Sequence, residues 1–571
     1  MLNNQSVSST AARSARLRRY GPVIIVYTAM TAVTGAWFMG DTNDYVSEIY
    51  HYTTELKGNF WEFGHLLWQP LGYAVFRLFG SLVRPLVGDD PQTGMRFCLV
   101  ALNWFAGLAS VLFMHGMAAR VSARDWAAHL ATVAFILTQA FLNFTQTGCS
   151  YIPGLALLLA CFYFLSKPEA AEGTSALSWL WAGLALAGSL SLWTTYLWAI
   201  PAALLSPFFW FGVDRQRLRL VSRTALVFGL ATSVIFLTGA FNAGVRDLAG
   251  LRQWIAAASH GITGVNGLPR MALGLARSLI NLGNDGLLFK RFLLRDSYNP
   301  VSLFDLIGVS LWKMGLFYLF LALLLINLRR TPGGRRIFHL WILSAAPALA
   351  FALFWQGGDM ERYLALYPLT FIALAYLPGR ERTGGAFLWV AAAFIAVMSY
   401  ANLATMAIPA LESRQQKVIA RIADLNAEAK PKTLLVTPHF QDELVNFNIS
   451  FPSHSINRQA KWRLIDLVSP GMTEAIRWRE RFAVAALSAW QDEGEVWLAR
   501  RALAPRPNPE WIWAEGDDRN VSWADFPKLF SQLELGRSVG DEDGFILLPR
   551  SPHNERLLHF LIEGENRLRQ R

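Results

Sequence analysis

Charged residues are scarce in this chain of 571 residues. Asp, Glu, Lys and Arg make up only 16% of the sequence, whereas hydrophobic residues make up 53%. A soluble globular protein carries about 25% charged residues. The deficit excludes an ordinary soluble protein and indicates a chain that places much of its length in a membrane.

Cysteine is scarce as well. Cys98, Cys149 and Cys161 lie in or near apolar segments, and their spacing matches neither a disulfide framework nor a zinc site. The formal net charge of +11 comes from 52 Lys and Arg against 41 Asp and Glu. Because the basic residues cluster in short turns between apolar runs, as in cytoplasmic loops, the charge does not predict nucleic-acid binding.

Long apolar runs are abundant. By the usual length criterion they predict about eleven spanning helices, near residues 21–39, 95–118, 126–144, 151–166, 177–195, 196–213, 223–242, 301–328, 337–355, 363–379 and 386–408. Arginines precede the first run, so its start is expected to be cytoplasmic, and every strong basic turn between later runs then falls on that same side. The first run is expected to be an uncleaved anchor, since many more runs follow it.

This topology predicts an all-α polytopic membrane core at residues 21–408, preceded by a cytoplasmic tail at 1–20. Two long outer loops are expected, at 40–94 and 243–300. Within the second loop, Met271–Leu294 mixes apolar residues with charges. That mixture predicts either a helix lying on the bilayer surface or a re-entrant pair of short helices.

Residues 409–571 are expected to form a separate extracytoplasmic α/β domain. β-rich stretches at 433–437, 495–499 and 544–548 alternate with charged and helical stretches such as 472–490. The domain contains no glycine-rich phosphate loop, nucleophile elbow or metal-ligand spacing. A recognition or stabilising role is therefore expected for it.

Asp41 is the first candidate for chemistry, because it directly follows the first apolar run. An acid where a spanning helix leaves the membrane is a functional candidate, with a solvated helix end as the alternative. Asp44, Glu48 and Glu55 share one helical face after it, which predicts a juxtamembrane helix. Aromatic residues are frequent in the same loop, as at a membrane interface.

Arg362 is the second candidate. It lies in an outer turn between two late runs, on the side of the membrane where Asp41 is expected. A guanidinium stays charged and holds phosphate through parallel hydrogen bonds. The alternatives are pairing with Asp359 or contact with lipid headgroups.

Three short motifs accompany this topology. Asp41 and Tyr45 match an Asp-Glu-x-x-Tyr motif. His65, Pro70 and Tyr73 loosely match a His-Pro-Pro-Leu-Tyr-like stretch, and the third motif, Arg-Tyr-Leu-x-x-x-Pro, is matched by Arg362, Tyr363, Leu364 and Pro368. With the topology of residues 1–408, they resemble polyprenol-dependent GT-C glycosyltransferases, which include protein O-mannosyltransferases and the bacterial aminoarabinose–lipid A transferase.

The resemblance implies transfer of a hexose or pentose from a polyprenyl-phosphate-linked donor to an extracytoplasmic glycan, lipid or protein acceptor. Asp41 is then the expected catalytic base of an inverting displacement, and Arg362 the expected cation for the leaving phosphate. Further candidates for substrate binding are Asp44, Tyr45, His65, Tyr363, Lys290, Arg291 and Arg295, with Arg270 behind them. The expected location is the plasma (inner) membrane, with membrane lipids as additional partners.

The sequence departs from the family pattern in ways that bear on metal dependence. Thr42 occupies the second acidic position, and the outer loop Phe144–Tyr151 contains no carboxylate. Metal-dependent GT-C enzymes such as oligosaccharyltransferases hold a divalent cation with acids from two outer loops. A mechanism without metal or other cofactor is therefore favoured, while Asp44, Glu48 or Asp285 keep a divalent cation open as an alternative.

A polytopic lipid or solute transporter, or flippase, is the alternative function, and a non-catalytic assembly protein is a third. A transporter needs polar or charged residues near the membrane midplane. Lys313 and Asp305 are the main candidates for such residues. The sequence contains no clear internal repeat of the kind that transporters often show.

Overall fold

A computed structural model defines the architecture of the chain. It describes residues 3–55, 60–87, 91–167, 177–258, 267–283, 287–380, 383–439, 442, 444–445, 462–468, 477–509, 511, 513, 521–540 and 544–569. These residues form two compact units, each made of two chain segments. Unit 1 contains Met1–Asp285 and Leu311–Ile408, and unit 2 contains Gly286–Ser310 and Pro409–Arg571.

The described residues of unit 1 are mainly helical. Its α-helices before the middle loop are Asn3–Val33, Thr42–Glu55, Trp68–Val87, Pro91–Val121, Asp125–Ile136, Gln139–Phe144, Tyr151–Leu165, Ser178–Leu192, Ile200–Phe211 and Arg215–Asn242. Those of the middle loop and the later part are Leu248–Ala257, Gly267–Leu279, Trp312–Arg330, Gly334–Phe354, Tyr367–Tyr376 and Gly385–Met406. Short 3-10 helices cover Phe63–His65, Thr194–Ala199 and Met360–Leu366.

Five of the described helices are long and apolar enough to cross a membrane: Pro91–Val121, Arg215–Asn242, Leu303–Arg330, Gly334–Phe354 and Gly385–Met406. Tyr151–Leu165 and Ser178–Leu192 are apolar but shorter. The chain is therefore an integral membrane protein with a helical core. The predicted count of eleven spanning helices is not confirmed.

One predicted span is not a continuous helix. Within residues 126–144, the helix Asp125–Ile136 stops, and Gln139–Phe144 begins after an extended Thr138 with φ −66° and ψ 144°. The Thr138 hydroxyl donates to the carbonyl of Phe135, so it satisfies a helix-end acceptor. The apolar run thus predicts that the segment is buried, but it does not predict one continuous helix.

The middle loop also differs from one of its predicted forms. Met271–Leu294 is not one interfacial helix, because Gly267–Leu279 belongs to unit 1 and Leu287–Leu294 to unit 2. Every residue from Leu273 to Leu279 is buried. Buried Arg277 donates to the carbonyl of Gly358 at 2.9 Å, an internal contact that a helix lying on a bilayer would not make.

Unit 2 contains the expected α/β fold. Its strands are β1 (Thr433–Thr437), β2 (Trp462–Asp466), β3 (Val496–Ala499), β4 (Ser538–Val539) and β5 (Phe545–Leu548). They form a five-stranded sheet in the order β2-β1-β3-β5-β4, with β1 parallel to β2 and β3, and β5 antiparallel to β3 and β4. Its helices are Leu287–Leu294, Leu303–Leu306, Ile408–Glu428, Trp478–Gln491, Asp525–Phe530 and Pro552–Arg569, with 3-10 helix Arg500–Leu503 and π-helix Ile307–Leu311 at its border with unit 1.

The segment Gly286–Ser310 packs within unit 2 through Asp296. The Asp296 carboxylate accepts hydrogen bonds from the backbone N–H groups of Tyr298 and Asn299, both at 3.0 Å. It also pairs with Arg291, whose guanidinium donates to the carbonyls of Pro509 and Trp511. Unit 2 is thus held together by contacts between two distant parts of the sequence.

Candidate active site

Asp41 sits in a tight turn after the first helix. Gly40 adopts a left-handed φ of +56°, and a Cβ there would lie 2.8 Å from the sulfur of Cys149. Thr42 accepts a hydrogen bond from the backbone N–H of Gly148 at 2.9 Å. The turn is therefore fixed against the segment before helix Tyr151–Leu165, and only glycine fits at its first position.

Tyr151 holds the Asp41 carboxylate. Its hydroxyl donates a short hydrogen bond to Oδ2 of Asp41. Tyr151 is itself fixed, because the hydroxyl of Tyr196 donates to the Tyr151 carbonyl at 2.6 Å. In the described part of the chain, Asp41 makes no ion pair with Lys, Arg or His, so nearby cations do not cancel its charge.

His65 lies buried beside this pair. Its Nδ1 is 2.7 Å from the hydroxyl oxygen of Ser150, and its ring stacks on Trp193 with centroids 4.7 Å apart. Tyr45, also buried, packs edge-on to the same imidazole at 5.2 Å. Burial lowers the pKa of His65, although the charges of Glu62 and Asp41 oppose that effect. The ring is therefore neutral at neutral pH and can donate or accept.

Arg362 is buried, with only 9% of its surface exposed. The central carbon of its guanidinium lies 4.9 Å from the ring centroid of Trp193 and 4.9 Å from that of Trp355. It donates to the hydroxyl of Thr195 at 3.2 Å and to the side-chain oxygen of Gln356. Within the described residues no carboxylate forms an ion pair with it, so the predicted alternative of pairing with Asp359 is not seen.

Trp193 joins these groups into one site. Its ring centroid lies 4.4 Å from that of Tyr151 and 4.7 Å from that of His65. The guanidinium carbon of Arg362 lies 4.9 Å from the same centroid. Tyr151 is hydrogen-bonded to Asp41. Asp41 and Arg362, which come from opposite ends of the core sequence, therefore both lie near Trp193. We call Asp41, His65, Tyr151, Trp193 and Arg362 the Trp193 site.

Two further acids lie at this site. Burial and the charge of Asp359 raise the pKa of Glu361 to about 8, against the opposing effect of Arg362. Glu62 is buried as well, and Gln69 donates to its carboxylate at 3.4 Å. At neutral pH Glu361 is mostly protonated, so it leaves the positive charge of Arg362 largely uncompensated.

The other predicted binding residues have varied positions. Asp44 is exposed on the helix Thr42–Glu55. The buried Tyr363 has its hydroxyl 2.6 Å from the carbonyl of Gly357 and 2.9 Å from that of Met271. Arg270 is exposed at the start of helix Gly267–Leu279. Their roles in binding remain predictions.

The three basic candidates of the middle loop belong to unit 2. Arg291 is engaged by Asp296 and by backbone carbonyls, and Arg295 is exposed with a left-handed φ of +50°. Lys290 lies on the helix Leu287–Leu294, but its side chain is outside what the structure describes, as is Asp285. Their predicted contact with substrate also stays a prediction.

Sequence reasoning missed several members of the site. Tyr151, Trp193, Thr195 and Trp355 are ordinary membrane-interface residues by composition, and only the fold brings them together. Glu361 had a visible signal, because an acid beside a predicted phosphate-binding arginine is an obvious candidate. Glu62 could have been noted as a carboxylate close to His65.

Metal binding is a separate question. Among the described residues, no group of three or more His, Cys, Asp and Glu side chains could hold a metal ion. Asp44 and Glu48 are described, whereas Asp285 is not. Independence from metal stays a prediction.

Solved structures similar to this chain include two crystal structures of ArnT from Cupriavidus metallidurans. The one bound to undecaprenyl phosphate has a TM-score of 0.48 at 11% identity, covering 95% of this chain and 99% of that chain. The apo structure has a TM-score of 0.49 at 11% identity, covering 96% and 99%.

ArnT is an aminoarabinose–lipid A transferase, of the group that the three sequence motifs resemble. Both TM-scores lie below 0.5, so the proposal below depends on the site geometry instead. No family model and no curated protein matches the chain.

Proposed function

We propose that this protein is a membrane glycosyltransferase that moves a sugar from a polyprenyl-phosphate-linked donor to an extracytoplasmic acceptor. One observation supports this most strongly: a buried arginine without a carboxylate partner and a carboxylate without a cationic partner share the Trp193 site. An acid and a separate cation are the two charges that such a transfer needs. Opposite charges that served only stability would be expected to pair directly.

Arg362 is proposed to bind the leaving phosphate. Its guanidinium carbon lies 4.9 Å from the ring centroids of both Trp193 and Trp355, and these cation–π contacts hold the charge in place. Its Nε is buried and has no partner among the described residues. In a site of low dielectric constant, such a donor stabilises the negative charge that develops on the phosphate as the glycosidic bond breaks.

Asp41 is proposed as the general base. One carboxylate suffices for an inverting displacement, in which it takes the proton of the acceptor hydroxyl while that oxygen attacks the anomeric carbon. The hydrogen bond from Tyr151 to Oδ2 fixes the carboxylate and leaves Oδ1 for the acceptor. The polyprenyl phosphate departs with the bonding electrons from the anomeric carbon, and no cofactor is required.

The proposed setting is the plasma (inner) membrane. The arginine-rich start is assigned to the cytoplasm, and residues 409–571 to the other side. Asp41 and Arg362 then lie at the outer side, where a polyprenyl-linked sugar and a glycan, lipid or protein acceptor meet. The proposal includes no nucleic-acid partner.

The first test follows donor consumption. Purified protein in lipid discs receives a panel of polyprenyl-phosphate sugars and a cell-envelope acceptor fraction, and mass spectrometry measures free polyprenyl phosphate. Asp41→Asn is expected to lower the rate by at least about 100-fold, because general-base catalysis contributes that much. Asp125→Asn is the matched control, since Asp125 is exposed at the start of helix Asp125–Ile136 and lies outside the Trp193 site, and it is expected to keep most of the activity.

Two outcomes would contradict the proposal. A folded Asp41→Asn protein that consumes donor at the wild-type rate would remove Asp41 from the mechanism. In a parallel assay with closed proteoliposomes, donor that crosses the bilayer intact, with no release of polyprenyl phosphate, would establish the transporter or flippase alternative.

A further inference from the structure

Lys313 is a charged residue in a candidate spanning segment, Leu303–Arg330, and it does not belong to the Trp193 site. Its amine lies 3.4 Å from the carbonyl oxygen of Asn281, a long contact, and 5.8 Å from the ring centroid of Trp312. Within the described residues it forms no ion pair. A lysine kept within an apolar segment without a counter-ion is a functional candidate.

A cavity of about 530 Å³ adjoins this lysine. It lies between the helices Trp312–Arg330 and Gly385–Met406, and its lining residues are Asn281, Gly283, Trp312, Lys313, Ala396, Val397, Tyr400, Ala401, Ala404 and Thr405. We call it the lateral pocket. Its volume is in the range of small-ligand sites.

Two polar groups at the lateral pocket, the Asn281 side-chain amide and the Lys313 amine, are hydrogen-bond donors. Asn281 is 98% buried, its carbonyl side-chain oxygen already accepts from Gly283, and its amide nitrogen has no partner among the described residues. The Lys313 amine supplies positive charge at the same residue, 3.4 Å from the backbone carbonyl oxygen of Asn281. A buried amide donor next to an ammonium group suits an anion with several acceptor oxygens, such as phosphate.

The rest of the lining suits a lipid. Ala396, Val397, Ala401 and Ala404 form an apolar wall along one helix. Trp312 and Tyr400 are 45% and 78% exposed at the pocket, as aromatic residues at a membrane interface are. The π-helical turn Ile307–Leu311 ends directly before Trp312, and such turns often occur at functional positions.

We propose that the lateral pocket binds the phosphate group of a membrane lipid, with Lys313 and the Asn281 amide as donors and the alanine wall against the first carbons of the chain. The site is distinct in its residues from the Trp193 site. A phospholipid diester and a polyprenyl phosphate monoester share this chemistry, and the test below separates them.

The test uses native mass spectrometry of the full-length protein in micelles. The probes are phosphatidylglycerol, undecaprenyl phosphate, and diacylglycerol with the same acyl chains as the phospholipid but no phosphate. All compared proteins carry Arg362→Gln, so that phosphate binding at the Trp193 site is weakened. In this background the protein with Lys313 is expected to bind at least one of the two phosphate lipids, and Lys313→Gln to bind it about tenfold more weakly, as expected for one lost charge-assisted hydrogen bond. The lipid that shows this dependence on Lys313 is the occupant.

The controls address charge, folding and catalysis. Lys167→Gln removes a lysine at another helix end, and Lys313→Arg keeps the charge, so both are expected to retain binding. Asp41→Asn is expected to retain it too, which separates this proposal from the one on catalysis. Equal binding of phosphate lipids by the protein with Lys313 and by Lys313→Gln would overturn the proposal, as would diacylglycerol binding as strong as that of the phosphate lipids.

Discussion

Trp193 connects three chemically different neighbours with one indole ring. It stacks on a neutral imidazole, meets the edge of a tyrosine that holds Asp41, and makes a cation–π contact with the Arg362 guanidinium. Because each of these contacts depends on the ring plane, a shift of Trp193 would disturb acid and cation together. The site is therefore organised by packing as much as by charge.

Replacing Arg362 by lysine tests whether shape matters in addition to charge. An ammonium group cannot contact the rings of Trp193 and Trp355 and present parallel donors at the same time. Arg362→Lys is expected to lower kcat/KM for the donor by about 100-fold, comparable with the loss of one oxyanion donor. The measurement is release of polyprenyl phosphate at varied donor concentration.

The matched control for that variant is Arg252→Lys. Arg252 is exposed on helix Leu248–Ala257 and lies in the same unit, so this change is expected to leave kcat/KM near the wild-type value. If Arg362→Lys behaved in the same way, the proposed contact with phosphate would be wrong.

Glu361 should make stability depend on pH. Its pKa is raised from the ordinary value of 4.5 to about 8. Between those values the folded chain keeps a proton that the unfolded chain releases. This contribution to stability is complete below pH 4.5 and is lost as the pH rises through 8. The apparent Tm of wild type is therefore expected to fall as the pH rises through this window.

Glu361→Gln should flatten that dependence, because glutamine resembles the protonated carboxyl at every pH. Scanning fluorimetry in detergent between about pH 6 and about pH 9 would measure it. Glu563→Gln, at an exposed glutamate, serves as the control and should retain the wild-type slope. A wild-type slope in Glu361→Gln would show that another group causes the dependence.

At the scale of elements, the backbone conformation of the turn that contains Asp41 restricts which residue can occupy position 40. Gly40→Ala places a Cβ at a left-handed φ and 2.8 Å from the sulfur of Cys149. The expected cost is about 1–3 kcal/mol, seen as a lower Tm together with reduced donor consumption because Asp41 is displaced. Gly21→Ala is the control, since no atom lies within 4 Å of a Cβ there and alanine favours helix.

The double variant Gly40→Ala/Cys149→Ala separates the two causes. Removing the sulfur relieves the overlap but not the backbone strain, so only part of the lost stability should return. A Gly40→Ala protein as stable and active as wild type would show that the turn does not restrict this position.

Local patterns were sufficient to predict some elements. β1 at Thr433–Thr437 coincides with its predicted stretch, and β3 and β5 each lie within theirs, because buried β-branched and aromatic runs are distinctive. β2 and the two-residue β4 were missed, as β2 is only partly buried and β4 is very short. The break at Thr138 was also missed, since hydropathy does not report where a helix stops.

The juxtamembrane helix could be predicted from the sequence, because its acidic residues repeat at helical spacing. Thr42–Glu55 is confirmed as a helix directly after Asp41. The helix Trp68–Val87 was not predicted, as it is amphipathic rather than uniformly apolar.

At the scale of the whole molecule, the sequence predicted a helical membrane core with a small mixed α/β fold, and both are present. It also singled out Asp41, His65 and Arg362, which meet at Trp193. The partners that join them could not be predicted, because Tyr151, Trp193 and Trp355 carry no local signal. Contacts between distant segments depend on packing that one sequence does not report.

Unit 2 is built from two separated segments, and that arrangement has a consequence for truncation. A chain cut after residue 408 would lose the partners of Arg291 and the backbone contact between Ser297 and Trp513. The middle loop would then keep its sequence but lose the surface on which it packs. The carboxyl-terminal part expressed alone would in turn lack the segment that contains Asp296.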